Sequence, residues 1–210
     1  MMELLEAWGV PVLAGKLDGF DVEKVLDYVS TQRFEDAGEQ SGGKQTFNRH
    51  LLDDSAMHEV RNLIIAASKL YLNCLDHEYE DLFVANSWAV KLKPFDFITP
   101  HHHSNCYISG VLYLTTGQPL HLHRPWETNE MFTLSPTIRE NPENALTQRT
   151  RQFHPEPCSL IVMPSGLTHH VDPVMKSNVE DRYSVAFNIL PKGKFGHGGN
   201  FINLTDQSNE

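Results

Sequence analysis

Cysteine is scarce in this chain: Cys74, Cys106 and Cys158 are the only three among 210 residues. Being odd in number, widely separated and free of any C-x-x-C spacing, they support neither a disulfide framework nor a structural zinc knuckle, and a reducing cytoplasm is the expected setting. Long apolar runs are missing too. No stretch approaches the roughly eighteen residues of a membrane helix, and the opening MMELLEAWGVPVLAG has neither a basic nor a long apolar region of the export type. Basic residues are outnumbered 17 to 27, which leaves a net charge of −10 and no local basic patch. That balance argues against nucleic-acid phosphates and anionic membrane surfaces as partners. Internal repeats and low-complexity tracts are absent, and the length suits one domain with a real core. Histidine is what the chain has in excess, with twelve copies of a residue that changes charge or binds metal near neutrality.

The order of patterns sets the fold class. Val22 to Tyr28 repeats apolar residues at helical spacing behind Asp21, a capping residue. Ser55 to Leu75 does so through Met57, Val60, Leu63, Ile64, Ala67, Leu70 and Tyr71. The intervening EDAGEQSGGKQTFN reads as a polar loop. From Leu82 the texture becomes short β-type runs, FVANSWAVKL, CYISGVLYL, CSLIVMP and RYSVAFNIL, divided by proline, glycine and asparagine. Helices followed by strands predict an α+β domain, with helices buttressing one face of a mostly antiparallel barrel or sandwich. The polar segment from Thr128 to Glu156, with Pro136, Pro142 and Pro155, reads as a lid, a binding loop or simply a mobile insertion. The tail from Gly193 is expected to fray at its end.

Seven histidines fall in three short segments: TPHHHSN (His101, His102, His103), PLHLHRP (His121, His123) and LTHHVDP (His169, His170). Side chains alternate along an extended strand, so His101 and His103 share one side and His102 takes the other. Such a pair offers two imidazoles to one metal, and either His169 or His170 can bring a third from a distant strand. A histidine beside a strand is also a common surface or hydrogen-bonded residue, and H-x-H alone is a weak signal. In RYSVAFNI, Arg182, Ser184 and Asn188 lie on one face, with Tyr183, Val185, Phe187 and Ile189 on the other. Arg182 and Ser184 are placed to grip a carboxylate, the plain alternative being an ion pair of Arg182 with Asp172 or Glu180.

Together these motifs resemble the double-stranded β-helix oxygenases that use Fe(II) and 2-oxoglutarate. The closer resemblance is to a 2-oxoglutarate/Fe(II) oxygenase family of marine bacteria and cyanophages. The matching segments are Asn86-Ser87-Trp88, HHHSNCYISGVLYL from His101, PSGLTHHVDP from Pro164, RYSVAFN from Arg182 and the following PKGKFG. The resemblance implies a jelly-roll, cupin-like barrel spanning 82–196 in a single oxygenase domain of residues 1–210. Residues 1–81 would be a mainly helical buttress and 197–210 a tail. It implies His101, His103 and His169 as catalytic iron ligands, with Arg182, Ser184 and Tyr113 as partners for 2-oxoglutarate. Asn86 and Trp88 would line the pocket, and O2 would be the co-reactant. The implied reaction is hydroxylation of a small molecule, peptide or protein side chain with release of succinate and CO2. The implied location is the cytoplasm, that of the host for a phage-encoded chain.

The usual facial triad is two histidines and a carboxylate, and here His103 stands in the carboxylate's place. Iron is then held by three imidazoles, or by His101 and His169 with water, or in a frame using His103 and Asn105. Asp96 and Asp172 are near in sequence as absent carboxylates or as groups orienting the histidines. His102 and His170 default to surface or supporting roles, and His121 and His123 to lining or surface. Gly166 stands where the family has an aromatic residue, which would open the pocket wall. A three-histidine cupin-type enzyme without 2-oxoglutarate and a non-catalytic barrel binding module are the rival functions.

Overall fold

The computed structural model describes residues 9–38, 41–125, 148–174, 180–197 and 199–204. Helix α1, Val22–Ser30, starts where Asp21 accepts a hydrogen bond from the Lys24 amide at 3.2 Å, and it buries Val25 and Val29. After the two 3-10 turns Leu51–Asp53 and Ser55–Met57, helix α2, His58–Cys74, buries Val60, Ile64, Ser68, Tyr71 and Leu72. Helix α1 runs two residues past the predicted Val22–Tyr28, and α2 begins three residues inside the predicted Ser55–Leu75, whose first residues form the 3-10 turn.

The strands form two sheets. The larger runs β1 (Leu13–Lys16), β9 (Ser159–Pro164), β6 (Ile108–Tyr113), β11 (Arg182–His197), β4 (Asp81–Leu92), β3 (Lys44–Thr46) and β2 (Phe34–Asp36), with β12 (Asn200–Leu204) against the far end of β11. The smaller runs β5 (Ile98–His101), β10 (His169–Val171), β7 (Leu120–His123) and β8 (Thr150–Phe153). Every ladder joining these strands is antiparallel. The polar EDAGEQSGGKQTFN segment differs from a plain loop. Its ends pair as β2 and β3, because the exposed edge of β4 supplies the hydrogen-bond partners that its composition does not advertise. Of the polar insertion, residues 126–147 lie outside the described residues, whereas 150–153 form β8; the tail is β12 as far as Leu204 and lies outside them beyond it.

Two apolar clusters divide the labour. One joins the helices to the outer face of the large sheet through Leu82, Val84, Ala89, Leu112, Val162, Val185, Phe187 and Ile189. The other fills the space between the sheets with Leu92, Val111, Tyr113 and Ile161 facing Leu120 and Val171. Alternation along β11 sends Phe187 outward and Ser184, Ala186 and Asn188 inward. Gly110 lies opposite Phe187, and a Cβ there would collide with the Phe187 ring and the Ile161 carbonyl, so this position takes glycine for close approach.

A bulge aims the site. Asn188 pairs with Asn86 but Ile189 pairs with Val84, leaving Ala85 as the extra residue in β4. Leu82, Val84, Ser87 and Ala89 thereby all stay on the helical side, and Asn86, Trp88, Val90 and Leu92 turn inward. Without the extra residue, period-two alternation would send one of these two sets to the wrong face.

Candidate metal and carboxylate site

Three imidazoles meet inside the barrel. One ring nitrogen each from His101, His103 and His169 lies within 4.8 Å of the others. His101 ends β5 and is directly paired with His169 in β10, their ring centroids 4.3 Å apart. His103 lies past the end of β5, so strand parity is not what holds it. Its amide donates to the Ser165 carbonyl at 2.9 Å, and the Ser165 hydroxyl donates to the Cys106 carbonyl at 2.9 Å, latching the two loops together. The indole of Trp88 stacks on the His103 ring at 5.8 Å.

Hydrogen bonds fix which nitrogen is free. His101 Nδ1 donates to the Thr99 carbonyl at 2.9 Å and His169 Nδ1 to the Leu167 carbonyl at 2.8 Å. In the neutral rings Nε2 then carries the lone pair, the arrangement a metal ligand needs. Burial keeps His169 neutral, pushing it down to about 3 with repulsion from His101 and His103 adding to the effect. Burial likewise pushes His103 down to about 4, helped by His101 and His102. Neither carboxylate near in sequence joins them: Asp96 accepts from the Lys93 amide at 2.7 Å, and Asp172 stands on the other face of the small sheet. Asn105 is exposed in a left-handed turn, φ 60°.

Further along the same interior lies a buried cation. Arg182 is 2 % exposed, and its Nε and Nη1 have no hydrogen-bond partner. Its guanidinium sits 4.9 Å from the centre of the Tyr113 ring, whose fully buried hydroxyl is also without a partner. Burial pulls the guanidinium's pKa down and lifts that of the phenol, and each group's proximity to the other opposes those shifts. Neither Asp172 nor Glu180 pairs with Arg182 among the described residues. Three orphaned polar groups converging in a core are costly unless a ligand completes them. Ser184 is buried on the same face, opposite Tyr113 and Val90. Gly117 makes room for the arginine stem, since a Cβ there would lie 2.8 Å from Arg182 Cβ.

Asn86 is held in a chain of hydrogen bonds across the large sheet. Ser109 Oγ donates to Asn188 Oδ1 at 2.8 Å, and Asn188 Nδ2 donates to Asn86 Oδ1 at 2.7 Å, a chain that ties β6, β11 and β4 beneath the histidines. The inward parity of Asn188 and Ser109 is the only trace of this chain in the sequence. Gly166 is exposed, and a Cβ there would meet nothing within 4 Å.

Alternation in β10 sends His170 to the opposite side from His169. His121 and His123 also face outward, because Leu120 and Leu122 between and beside them pack in the interior cluster. His102 is exposed.

A family profile described as "Putative 2OG-Fe(II) oxygenase" (2OG, 2-oxoglutarate) matches residues 86–188. No curated protein is a significant match to the sequence. Among solved structures, a Pseudomonas putida prolyl-4-hydroxylase is similar at 14 % identity and TM-score 0.58, covering 88 % of this chain and 94 % of its own. HygX from Streptomyces hygroscopicus, solved with nickel, 2-oxoglutarate and hygromycin B, has 13 % identity and TM-score 0.56, covering 87 % of this chain and 83 % of its own. A Trichoplax adhaerens prolyl hydroxylase, solved with a peptide fragment of hypoxia inducible factor, has 11 % identity and TM-score 0.55, covering 86 % of this chain and 83 % of its own. At these identities the likeness shows the fold, the double-stranded β-helix.

Proposed function

We propose that the chain, whose residues 86–188 belong to the 2OG-Fe(II) oxygenase family, binds iron through His101, His103 and His169 and 2-oxoglutarate through Arg182. The observation that carries this reading is the buried Arg182, whose Nε and Nη1 have no partner, on the inward face of the large sheet, with the three imidazoles on the small-sheet side of the interior. Trp88, which stacks on His103, pairs with Ala186, four positions from Arg182 on β11, or about 13 Å along the strand. The long arginine side chain and a five-carbon dicarboxylate together bridge such a gap. The Tyr113 hydroxyl adds a donor beside the guanidinium, and Ser184 a hydroxyl on the same face.

Three imidazole donors would suit iron. They also leave the site one charge more positive than a triad containing a carboxylate, which favours an anionic cosubstrate. When bound, iron, 2-oxoglutarate and dioxygen supply an oxidant for a substrate C–H bond, with succinate and CO2 as co-products. The protein contributes position and dryness. Thr99 and Leu167 orient two ligands, Trp88 braces the third, and Leu92, Val111, Ile161 and Val171 exclude water from the interior.

The substrate in this reading is a small molecule, peptide or protein side chain, admitted past Gly166, where an added Cβ would meet nothing; the peptide fragment and hygromycin B bound in the structural neighbours support that class. The net charge of −10 weighs against nucleic acid, and the free cysteines support a cytoplasmic setting. No helix among the described residues is long and apolar enough to cross a membrane.

The test is turnover of 2-oxoglutarate to succinate by the Fe(II)-loaded protein. Wild type should form succinate, and His101→Ala, His103→Ala and His169→Ala should each lose it together with stoichiometric Fe(II). Iron binding that survives His103→Ala would assign the third position to water. Succinate formation unaffected by His101→Ala and His169→Ala would overturn the assignment.

A further inference from the structure

The histidines on the outer face of the small sheet have no part in the chemistry inside the barrel, yet they too converge. His121 in β7 is directly opposite His170 in β10, and Asp172 follows two residues later on the same side. One donor atom from each lies within 4.8 Å of the others. His121 Nε2 stands 3.5 Å from Asp172 Oδ2, and His170 Nε2 stands 3.3 Å from Asp172 Oδ1. Both separations are long for charge-assisted hydrogen bonds, which run to about 2.7–2.9 Å. Each is close to the roughly 3.4 Å between two ligands about 2.0–2.1 Å from one ion, with Oδ2 facing His121 and Oδ1 facing His170.

The supporting contact is also present. His123 Nε2 is hydrogen-bonded to His170 Nδ1 at 2.6 Å, and the Nε2 of His170 is turned toward Asp172. A ligating histidine braced through its other nitrogen is the usual build of a metal site. His121 is 8 % exposed, whereas the Asp172 side chain is 62 % exposed, which leaves one open side for an ion and a water to enter.

We propose that His121, His170 and Asp172 form a second divalent transition-metal site, back to back with the catalytic one. Two imidazoles and one carboxylate suit zinc and its neighbours and do not suit magnesium or calcium. An ion here ties β7 to β10, the strand whose inner face presents His169. The site therefore has a stabilising role on the strand that carries a catalytic ligand, and it needs no bound 2-oxoglutarate.

Equilibrium dialysis of the chelator-stripped full chain against Zn(II), followed by metal analysis, tests this. Wild type should retain two equivalents. Asp172→Ala and His121→Gln should each retain one, as should the double variant His101→Ala/His103→Ala. In that double variant Zn(II) should still raise Tm, and adding Asp172→Ala should abolish the rise; Asp172 is exposed enough for its loss to leave folding intact. Co(II) absorption gives an independent readout on the Asp172→Ala chain alone. A single wild-type equivalent removed by the His101 and His103 substitutions would overturn the proposal. So would a second equivalent that persists in both Asp172→Ala and His121→Gln. A single equivalent lost with Asp172→Ala but retained without His101 and His103 would uphold this site and instead overturn the central metal assignment.

Discussion

Replacing Arg182 with methionine should move stability and cosubstrate binding in opposite directions. In the ligand-free protein the guanidinium leaves two buried nitrogens without partners, and each such group costs about 1–3 kcal/mol. Its contact with the Tyr113 ring returns only about 0.5–2 kcal/mol. Methionine keeps the unbranched stem that fits against Gly117, so the net change should be a gain of roughly 2 kcal/mol, as when a buried charge gives way to an apolar isostere. At this chain length that corresponds to a Tm rise of about 4–8 °C. Binding should suffer far more, because removing one partner of a buried charge pair costs about 2–5 kcal/mol, or about 30-fold to several thousand-fold in affinity. Differential scanning fluorimetry of the metal-free protein reads the first effect. Anaerobic titration of the Fe(II) protein with 2-oxoglutarate, following the metal-to-ligand charge-transfer band, reads the second. Unchanged 2-oxoglutarate affinity would refute the reasoning about the site, and a lower Tm would show that the guanidinium is a structural pillar.

Gly117→Ala should push the Arg182 stem aside and weaken 2-oxoglutarate binding while Fe(II) still binds, a separation visible in parallel titrations. Gly110→Ala should destabilise the fold by about 1–3 kcal/mol, because the added methyl overpacks Phe187 and the Ile161 carbonyl; urea melts would show it. In the metal-free protein, His103 and His169 hold folded-state pKa values of about 4 and about 3, below the ordinary 6.5. The unfolded chain therefore binds more protons below neutrality. Stability is complete above about pH 6.5 and falls with acidification by up to about 1.4 kcal/mol per pH unit for each residue until its folded value is passed. Substituting both residues should flatten that slope in melts between neutral and acid pH. Since Trp88 stacks on His103, Fe(II) should quench its fluorescence, and Trp88→Phe should remove that component.

The histidine spacing and the Arg-x-Ser strand make the site's parts legible in the sequence, because strand alternation is local and each motif carries its own parity. Helices α1 and α2 are legible for the same reason: Asp21 and the apolar spacing act within a few residues. What parity leaves hidden is set by distant partners. His103 lies beyond β5, so its place depends on the Ser165 carbonyl some sixty residues away rather than on alternation with His101. Ala85 looks like any strand residue, and only the ladder with β11 shows that it is the one to be skipped. The strands β2 and β3 owe their form to the edge of β4 more than to their own polar residues. Asp172 reads equally well as an arginine's partner or an iron ligand until the direction of β10 is known.

The doubled histidine in β10 also bears on how that strand finds its seat during folding. A three-residue strand is short enough to slip, and a slip by one position would still deliver an imidazole, that of His170, to the interior. It would also carry Asp172 in among Leu120 and Ile161 and turn Val171 out to water, at a cost of several kcal/mol for the stranded carboxylate. The Val171–Leu120 pairing thus rejects the frame that the histidines alone would tolerate. His121, waiting on the outside for His170, adds a second vote for the productive frame.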